Sequence, residues 1–238
     1  MIPIFSLSLS ALILVDCYLF WRVSVPPRPP ASLGTETKRL IPFARLAAQL
    51  NSPLCCALIL FDAYCALSIG FDLKAPQLIQ CPNSSSSHWD SPMPSTGALF
   101  GYLLIFTGGY IRITSQRLLG KYFTWEISFK EGQKLCTTGP YSLVRHPGYL
   151  GLWLIRFGIN FVQSTNSWSG LLLRECLYPR YALIGTGFIW ENYVFTASLL
   201  WWMTFRAKWE DDLMKENFRD EWNRWAQKTR YRIVPFVY

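Results

Sequence analysis

Charged residues are scarce in this chain of 238 residues, because Asp, Glu, Lys and Arg together make up only 16% of it. A soluble domain of this length carries nearer a quarter charged residues. The shortage is uneven, since long apolar stretches alternate with basic ones and hydrophobic residues reach 51%. This pattern predicts a membrane protein. The length is enough for one domain and short for two.

The sequence also lacks the patterns of several common cofactor sites. It has two histidines and seven cysteines but no Cys-x-x-Cys pair, so neither a metal site nor a disulfide framework is expected. Soluble enzymes hold nucleotides with a glycine-rich turn after a strand. The only candidates, Gly108-Gly109 and Gly185-x-Gly187, lie inside apolar stretches, where close helix packing explains them better. A Rossmann domain is therefore not expected.

Five apolar stretches are predicted to cross the bilayer as helices, each needing about 20 mostly apolar residues. The expected fold is an all-α polytopic membrane protein, with N-terminal helices and loops in residues 1–113 and a core that carries the motifs in residues 114–238. A C-terminal amphipathic helix, Lys208 to Gln227, is predicted to lie at the membrane surface. The spans are Ile2 to Trp21, Ala44 to Phe71, Thr96 to Ile113, Tyr149 to Val162 and Tyr181 to Phe205.

Lys and Arg are distributed unevenly among the connections between these spans. Counted with Arg45 and Arg112, which stand at the ends of the adjoining spans, the first connection holds five and the third six. The second holds one, the fourth two and the tail from Arg206 eight. Basic residues favour the cytosolic side, so the first and third connections and the tail are predicted to be cytosolic. The second would be lumenal, where Asn83-Ser84-Ser85 could accept a glycan. The net charge of +8 then serves contact with a lipid bilayer, and no nucleic-acid partner is expected.

Two of the predicted cytosolic segments combine polar groups in an unusual way. In the first, Arg145-His146-Pro147 stands at the foot of the fourth span. Pro147 suits the first helical position, which places His146 at a helix N-terminus, where free backbone N–H groups favour an anion. An ordinary basic membrane flank is the simpler interpretation. However, Tyr141 and Tyr149 add directional donors on either side.

The second segment begins where the fifth span ends. Arg206 and Glu210 are four residues apart and share one face of a helix. They could form a mere exposed ion pair, worth roughly 0.3 kcal/mol. At the membrane boundary, however, paired charges can hold a zwitterion, and Arg presents a planar fork to a carboxylate.

Taken together, the two segments resemble those of a known family. In order and spacing, the chain resembles isoprenylcysteine carboxyl methyltransferases through Gly139-Pro140-Tyr141, Arg145-His146-Pro147, Tyr149 and Arg206-x-x-x-Glu210-Asp211. The resemblance covers about Tyr122 to Pro235, and each half alone is shared more loosely with phospholipid methyltransferases and certain sterol reductases. It implies S-adenosyl-L-methionine as cofactor, a prenylated protein or prenylcysteine as substrate, and a multi-pass location in the endoplasmic reticulum membrane.

The resemblance also implies roles for individual residues. Arg206 would bind the substrate carboxylate and His146 would position the cofactor, as the two catalytic residues. There are two departures, since the usual second Glu is Asp211 and the glycine that normally follows Phe218 is Arg219. The implied cofactor contacts are Glu126, Gln133, Lys134, Leu135, Cys136, Tyr141, His146, Pro147, Gly148, Tyr149 and Glu210.

The chemistry of this reaction agrees with the small number of candidate bases. A carboxylate is already ionised at pH 7, so methyl transfer to it needs no general base. Alignment of the reactants in a water-poor pocket is expected to accelerate the reaction instead. Three alternatives stay open: a phospholipid or other lipid methyltransferase with an amine acceptor, a reductase with a nicotinamide cofactor, and a non-enzymatic membrane adaptor.

Several polar residues fall inside the predicted spans. They are expected to face the protein interior or a wet cavity, because a charge at the helix centre costs roughly 2.5–3.5 kcal/mol. Arg156 and Glu191, on adjacent spans, could form a structural pair or serve the pocket. The set comprises Asp16, Asp62, Arg156, Glu191 and Asn192.

Overall fold

The computed structural model describes residues 2–24, 41–71, 95–123, 131–165, 167–173 and 182–237. Every regular element in these ranges is helical, which agrees with the predicted all-α class. Two short 3-10 turns, Gly120–Tyr122 and Gly139–Ser142, lie between the third and fourth helices. The helices are α1 (Ile2–Ser24), α2 (Ile41–Gly70), α3 (Thr96–Leu119), α4 (Pro147–Ser164), α5 (Trp168–Leu171) and α6 (Ala182–Lys228).

Within the described residues, one helix, Thr96–Tyr122, is long and apolar enough to cross a membrane. Pro53–Ser68 forms a shorter apolar helical stretch. The other predicted spans also fall on helices, but the total of five crossings stays a prediction. The possible glycan acceptor Asn83 and most of the basic first connection lie outside the described residues.

Glycines bring α3 and α4 into direct backbone contact. Gly108 of α3 faces Gly151 of α4, and a Cβ added to either glycine would lie 2.5 Å from the carbonyl oxygen of the other. Gly101, seven residues before Gly108, faces Gly158, seven residues after Gly151, in the same way. A Cβ added to Gly101 would lie 2.8 Å from the Gly158 carbonyl oxygen, and one added to Gly158 would lie 2.5 Å from the Gly101 carbonyl oxygen. Such distances are too short for any Cβ, so only glycine permits this approach. We call these two glycine pairs the α3–α4 seam.

The neighbouring Gly109 faces α1 instead. A Cβ there would meet the Leu19 Cβ at 2.8 Å. The prediction that Gly108-Gly109 serves helix packing is therefore confirmed, whereas the surroundings of Gly185 and Gly187 lie outside what the structure describes. The apolar core between the first four helices includes Ile13, Tyr102, Ile105, Ile155 and Ile159.

Polar residues inside the helices face the interior, as predicted. Asp62 accepts hydrogen bonds from the Tyr102 hydroxyl at 2.8 Å and from the Ser169 backbone N–H at 2.6 Å, which ties α2 to α3 and α5. Asp16 and Asn192 are also buried.

Arg156 contacts α6 through polar side chains. Its Nη2 donates to Asn192 at 3.2 Å and its Nε donates to Thr196 at 3.3 Å. Asn160 donates to the same Thr196 hydroxyl at 3.1 Å, so this network joins α4 to α6. The side chain of Glu191, the predicted partner of Arg156, lies outside the described residues.

The predicted fifth span and the predicted surface helix form one element. Helix α6 runs from Ala182 to Lys228 with a kink at Arg219, whose φ of 46° and ψ of −113° are not helical. After α6 the chain folds back towards α4. There, the N–H groups of Arg145 and His146 donate to the carbonyls of Tyr231 and Arg232 at 2.9 and 2.7 Å.

Candidate active site

The C-terminal end of α6 holds the turn that precedes α4. The Trp225 indole N–H donates to the Tyr141 carbonyl at 3.2 Å. The Thr229 hydroxyl donates to the Ser142 carbonyl at 3.4 Å. Together with the backbone bonds from residues 145 and 146, these contacts fix the start of α4 against the helix that follows the last predicted span. The two segments singled out in the sequence therefore meet.

His146 lies between two consecutive carboxylates of α6. Its Nε2 is 3.0 Å from Asp211 Oδ1, and its Nδ1 is 3.7 Å from Glu210 Oε2. The ring stacks on Tyr149, with 5.4 Å between ring centroids and 14° between planes. The side chain is buried, so the imidazole is held in one orientation from three sides.

Tyr149 links the two charged residues that the sequence placed on one face of a helix. Its hydroxyl donates to Glu210 Oε2 at 2.7 Å and accepts from Arg206 Nε at 2.7 Å. Arg206 and Glu210 are thus joined through a phenol from α4, where the simplest interpretation expected an exposed pair. The Arg206 guanidinium also lies over the Trp202 ring, 5.1 Å from its centroid.

Asp211 interacts with three cationic or ionisable side chains. Besides His146, its carboxylate is 3.0 Å from Arg232 Nε and 3.5 Å from Arg145 Nη1. The Asp211 side chain is only 4% exposed. Sequence reasoning treated this residue as a shortened second Glu and did not find its partners. Arg232 in particular comes close only because the chain reverses after α6.

Arg112 is a second residue that sequence reasoning missed. It is 6% exposed near the end of α3, and its Nη1 donates to the Gly148 carbonyl at 2.8 Å. Its Nε has no hydrogen-bond partner among the described residues. The guanidinium lies within electrostatic range of Tyr149, Tyr141 and Arg206. Its position at the end of an apolar stretch suggested only a membrane flank.

Tyr141 lies in the 3-10 turn before α4. Its hydroxyl donates to the Ser115 carbonyl at 3.4 Å. Burial, and secondarily the nearby Glu210 carboxylate, raise the pKa of this phenol well above its usual value. Tyr141 therefore stays protonated at any physiological pH and acts as a donor.

The remaining predicted cofactor contacts are spread over the motif and the loop before it. Pro147 is fully buried at the first position of α4. In the loop, Cys136 is partly buried and lies within electrostatic range of Tyr141, whereas the Lys134 side chain is exposed. Gln133 and Leu135 are partly buried. Glu126 lies outside the described residues.

A cleft of about 430 Å³ lies between α4 and α6. Its walls are mainly apolar, and the lining includes Phe157, Phe161, Tyr193, Ala197 and Leu200. The described residues contain no group of three or more His, Cys, Asp or Glu side chains that could hold a metal ion. The described residues thus place charged groups at the start of α4 and an apolar cleft further along that helix.

Part of this arrangement falls within a match to a known family. A family model described as phospholipid methyltransferase matches residues 96–183. The predicted resemblance is confirmed. The match covers α3, the His146 motif and α4, and the phospholipid methyltransferase family includes isoprenylcysteine carboxyl methyltransferases. It ends before Arg206 and Glu210.

Individual relatives are named for a different activity, sterol reduction. The chain is 26% identical to Delta(14)-sterol reductase erg24B of Aspergillus fumigatus over 122 residues, which are 47% of this chain and 23% of that protein. It is 25% identical to Delta(14)-sterol reductase ERG24B of Gibberella zeae over 124 residues, 47% of this chain and 26% of that one. The chain thus spans about a quarter of the length of these curated relatives. No solved structure matches it significantly.

Proposed function

We propose that this protein methylates the C-terminal carboxylate of prenylated cysteine at the cytosolic face of the endoplasmic reticulum membrane, with S-adenosyl-L-methionine as donor. The observation that carries the proposal is the Tyr149 bridge between Arg206 and Glu210. It holds a cation and an anion beside each other at the start of α4, on the helix whose later turns line the apolar cleft. A carboxylate acceptor with a lipid tail and a zwitterionic donor suit that arrangement.

The residues present fit this donor. Glu210 is 36% exposed in its side chain, so its carboxylate can receive an ammonium group while one oxygen keeps its bond from Tyr149. The parallel rings of His146 and Tyr149 and the buried Tyr141 phenol form polar and aromatic walls nearby. S-adenosyl-L-methionine, when bound, supplies a methyl group that is already activated by the sulfonium.

The chain's own groups would orient the acceptor and keep water out. Arg206 carries the fork that recognises a carboxylate, and its Nε is fixed by Tyr149. His146 is engaged by Asp211 through Nε2, which suits a positioning residue better than a base. A carboxylate needs no deprotonation at pH 7, so alignment in a water-poor site is the main requirement.

The cleft between α4 and α6 suits the acceptor's apolar chain. Phe157, in its lining, is eight residues beyond Tyr149, which corresponds to about 12 Å along a helix. A prenyl chain of three isoprene units extends over a similar length. An acceptor with its carboxylate at Arg206 would therefore reach the near end of the cleft with the far end of its tail.

The test is transfer of radiolabelled methyl from S-adenosyl-L-methionine in membranes that contain the full chain. We expect label in N-acetyl-S-farnesylcysteine and none in N-acetyl-S-farnesylcysteine methyl ester, whose carboxyl group is blocked. Label in phosphatidylethanolamine instead would identify the second candidate, a phospholipid methyltransferase, which the matching family model favours.

A reductase is tested in the same membranes, because the curated relatives carry that activity in their names. Binding of NADPH without binding of S-adenosylhomocysteine would overturn the proposal.

A further inference from the structure

Arg112 is a buried cation that no anion of the described chain balances. The groups that face it are the Gly148 carbonyl, the phenols of Tyr141 and Tyr149, and the cationic Arg206. No carboxylate among the described residues lies within ion-pair distance of it. Burying an unbalanced charge is costly, and the neighbouring guanidinium of Arg206 adds to the cost.

Helix packing does not account for this arginine. The α3–α4 seam already holds the two helices together through backbone contact. A guanidinium has five N–H donors in a fixed fork, and the Gly148 carbonyl uses one of them. Arg112 Nε is buried without an acceptor in the described part of the chain. A structural arginine would be expected to saturate more of its donors with carbonyl groups.

The position of Arg112 indicates which anion it meets. The apolar cleft is lined by residues of α4 and α6, and Arg206 stands on α6. Arg112 comes instead from α3, on the side of Gly148. An acceptor that lies along α6 therefore meets Arg206 first. Arg112 shares the neighbours Tyr141 and Tyr149 with Glu210, which leaves it for a carboxylate of the donor that Glu210 holds.

We propose that Arg112 binds the carboxylate of the donor's amino-acid portion, while Glu210 binds the ammonium of the same portion. This inference rests on the proposed function, since it assumes a donor with that zwitterion. It assigns the two arginines to two different carboxylates, one on each substrate. Arg112 would then set the affinity for the donor without touching the transferred methyl group.

The experiment measures binding by the purified full chain in detergent, by isothermal titration calorimetry, with two ligands. One is S-adenosylhomocysteine and the other is S-adenosyl-3-thiopropylamine, which has the same structure without the carboxylate. We expect wild type to bind the first about 30-fold more tightly, the factor for one charge-assisted hydrogen-bonded pair. Arg112→Gln should abolish this preference by weakening only S-adenosylhomocysteine.

Controls separate the possible failures. Arg117→Gln removes an exposed arginine from the same helix and should leave both affinities unchanged. Equal weakening of both ligands in Arg112→Gln, or equal binding of both by wild type, would overturn the role of Arg112. If wild type binds neither ligand, the proposed function itself fails. If Arg112→Gln does not fold, Arg112→Lys takes its place, because it keeps the charge but loses the planar fork. We expect its preference for S-adenosylhomocysteine over S-adenosyl-3-thiopropylamine to be reduced about 3-fold or more.

Discussion

The Tyr149 hydroxyl donates a hydrogen bond of 2.7 Å to the Glu210 carboxylate and so connects the first turn of α4 to α6. The same hydroxyl accepts from Arg206. The phenol therefore fixes the Glu210 carboxylate and the Arg206 guanidinium, which share one face of α6, relative to the motif at the start of α4. The phenol thus stands between the opposite charges of Arg206 and Glu210 and is hydrogen-bonded to both.

Replacing Glu210 tests whether its charge holds the donor. Glu210→Gln keeps an oxygen that accepts from Tyr149, so the bridge can persist while the negative charge is lost. We expect S-adenosylhomocysteine to bind about 10- to 100-fold more weakly, as for loss of one charge-assisted hydrogen bond. Asp212→Asn, an exposed acid two residues later, should change nothing. Equal behaviour of the two variants would exclude Glu210 from the donor site.

Arg206 should act on the acceptor rather than on the donor. Arg206→Ala should lower kcat/KM for the farnesylcysteine acceptor about 100-fold, because a forked carboxylate contact is lost. The affinity for S-adenosylhomocysteine should change far less. Lys208→Ala, which removes an exposed cation from the same helix, is the control. A parallel loss of both properties in Arg206→Ala would contradict its assignment to the substrate.

The rate should depend little on pH. A free carboxylate acceptor is ionised above about pH 5, and no group must lose a proton in the transfer. Tyr141, whose pKa is raised by burial, stays protonated throughout and adds no titration. We expect kcat to stay flat between about pH 6 and pH 9. A bell-shaped profile would instead indicate a general base and an amine or hydroxyl acceptor.

Asp211 should matter for stability more than for substrate affinity. Its buried carboxylate is shared by His146, Arg145 and Arg232. Asp211→Asn should lower the free energy of unfolding by about 3 kcal/mol, because positive groups lose their common anion. That corresponds to a fall in Tm of roughly 6–12 °C. Asp220→Asn, at an exposed position of the same helix, is the control. An equally small shift in Tm for both variants would show that the Asp211 carboxylate does not stabilise the fold.

The sequence predicts those site residues whose positions follow from the spacing within a motif. The N-terminal position of His146 on α4 follows from the proline after it, and the shared face of Arg206 and Glu210 follows from their separation. The inward direction of Asp62 and Arg156 follows from the cost of charge in lipid.

Other parts depend on tertiary contacts that no local pattern reveals. Arg232 reaches Asp211 only because the chain reverses after α6 and pairs with residues 145 and 146. Arg112 contacts Gly148 because the α3–α4 seam brings its turn beside the start of α4. The helix that carries Arg206 and Glu210 was, in contrast, predicted to continue from the fifth span, and α6 does run through both segments.

Arg219 offers a stability test at a single backbone position. Its φ of 46° is positive, a region where a side chain costs roughly 1–2 kcal/mol and glycine does not. Arg219→Gly should therefore raise Tm by about 2–4 °C for each kcal/mol relieved. Arg219→Ala removes the same charge but keeps a Cβ, so it should give no such gain. A gain with Ala as large as with Gly would assign the effect to charge instead of backbone strain.

The seam of Gly101, Gly108, Gly151 and Gly158 also affects how such a pocket can diversify. Two backbones in direct contact have no compressible layer between them, so neither helix can slide or rotate without a clash. α6, in contrast, meets α4 through side chains that can be exchanged one at a time. We therefore expect changes of acceptor to arise by exchange of the side chains of α4 and α6 that line the cleft, while the four glycines that join α3 to α4 are retained.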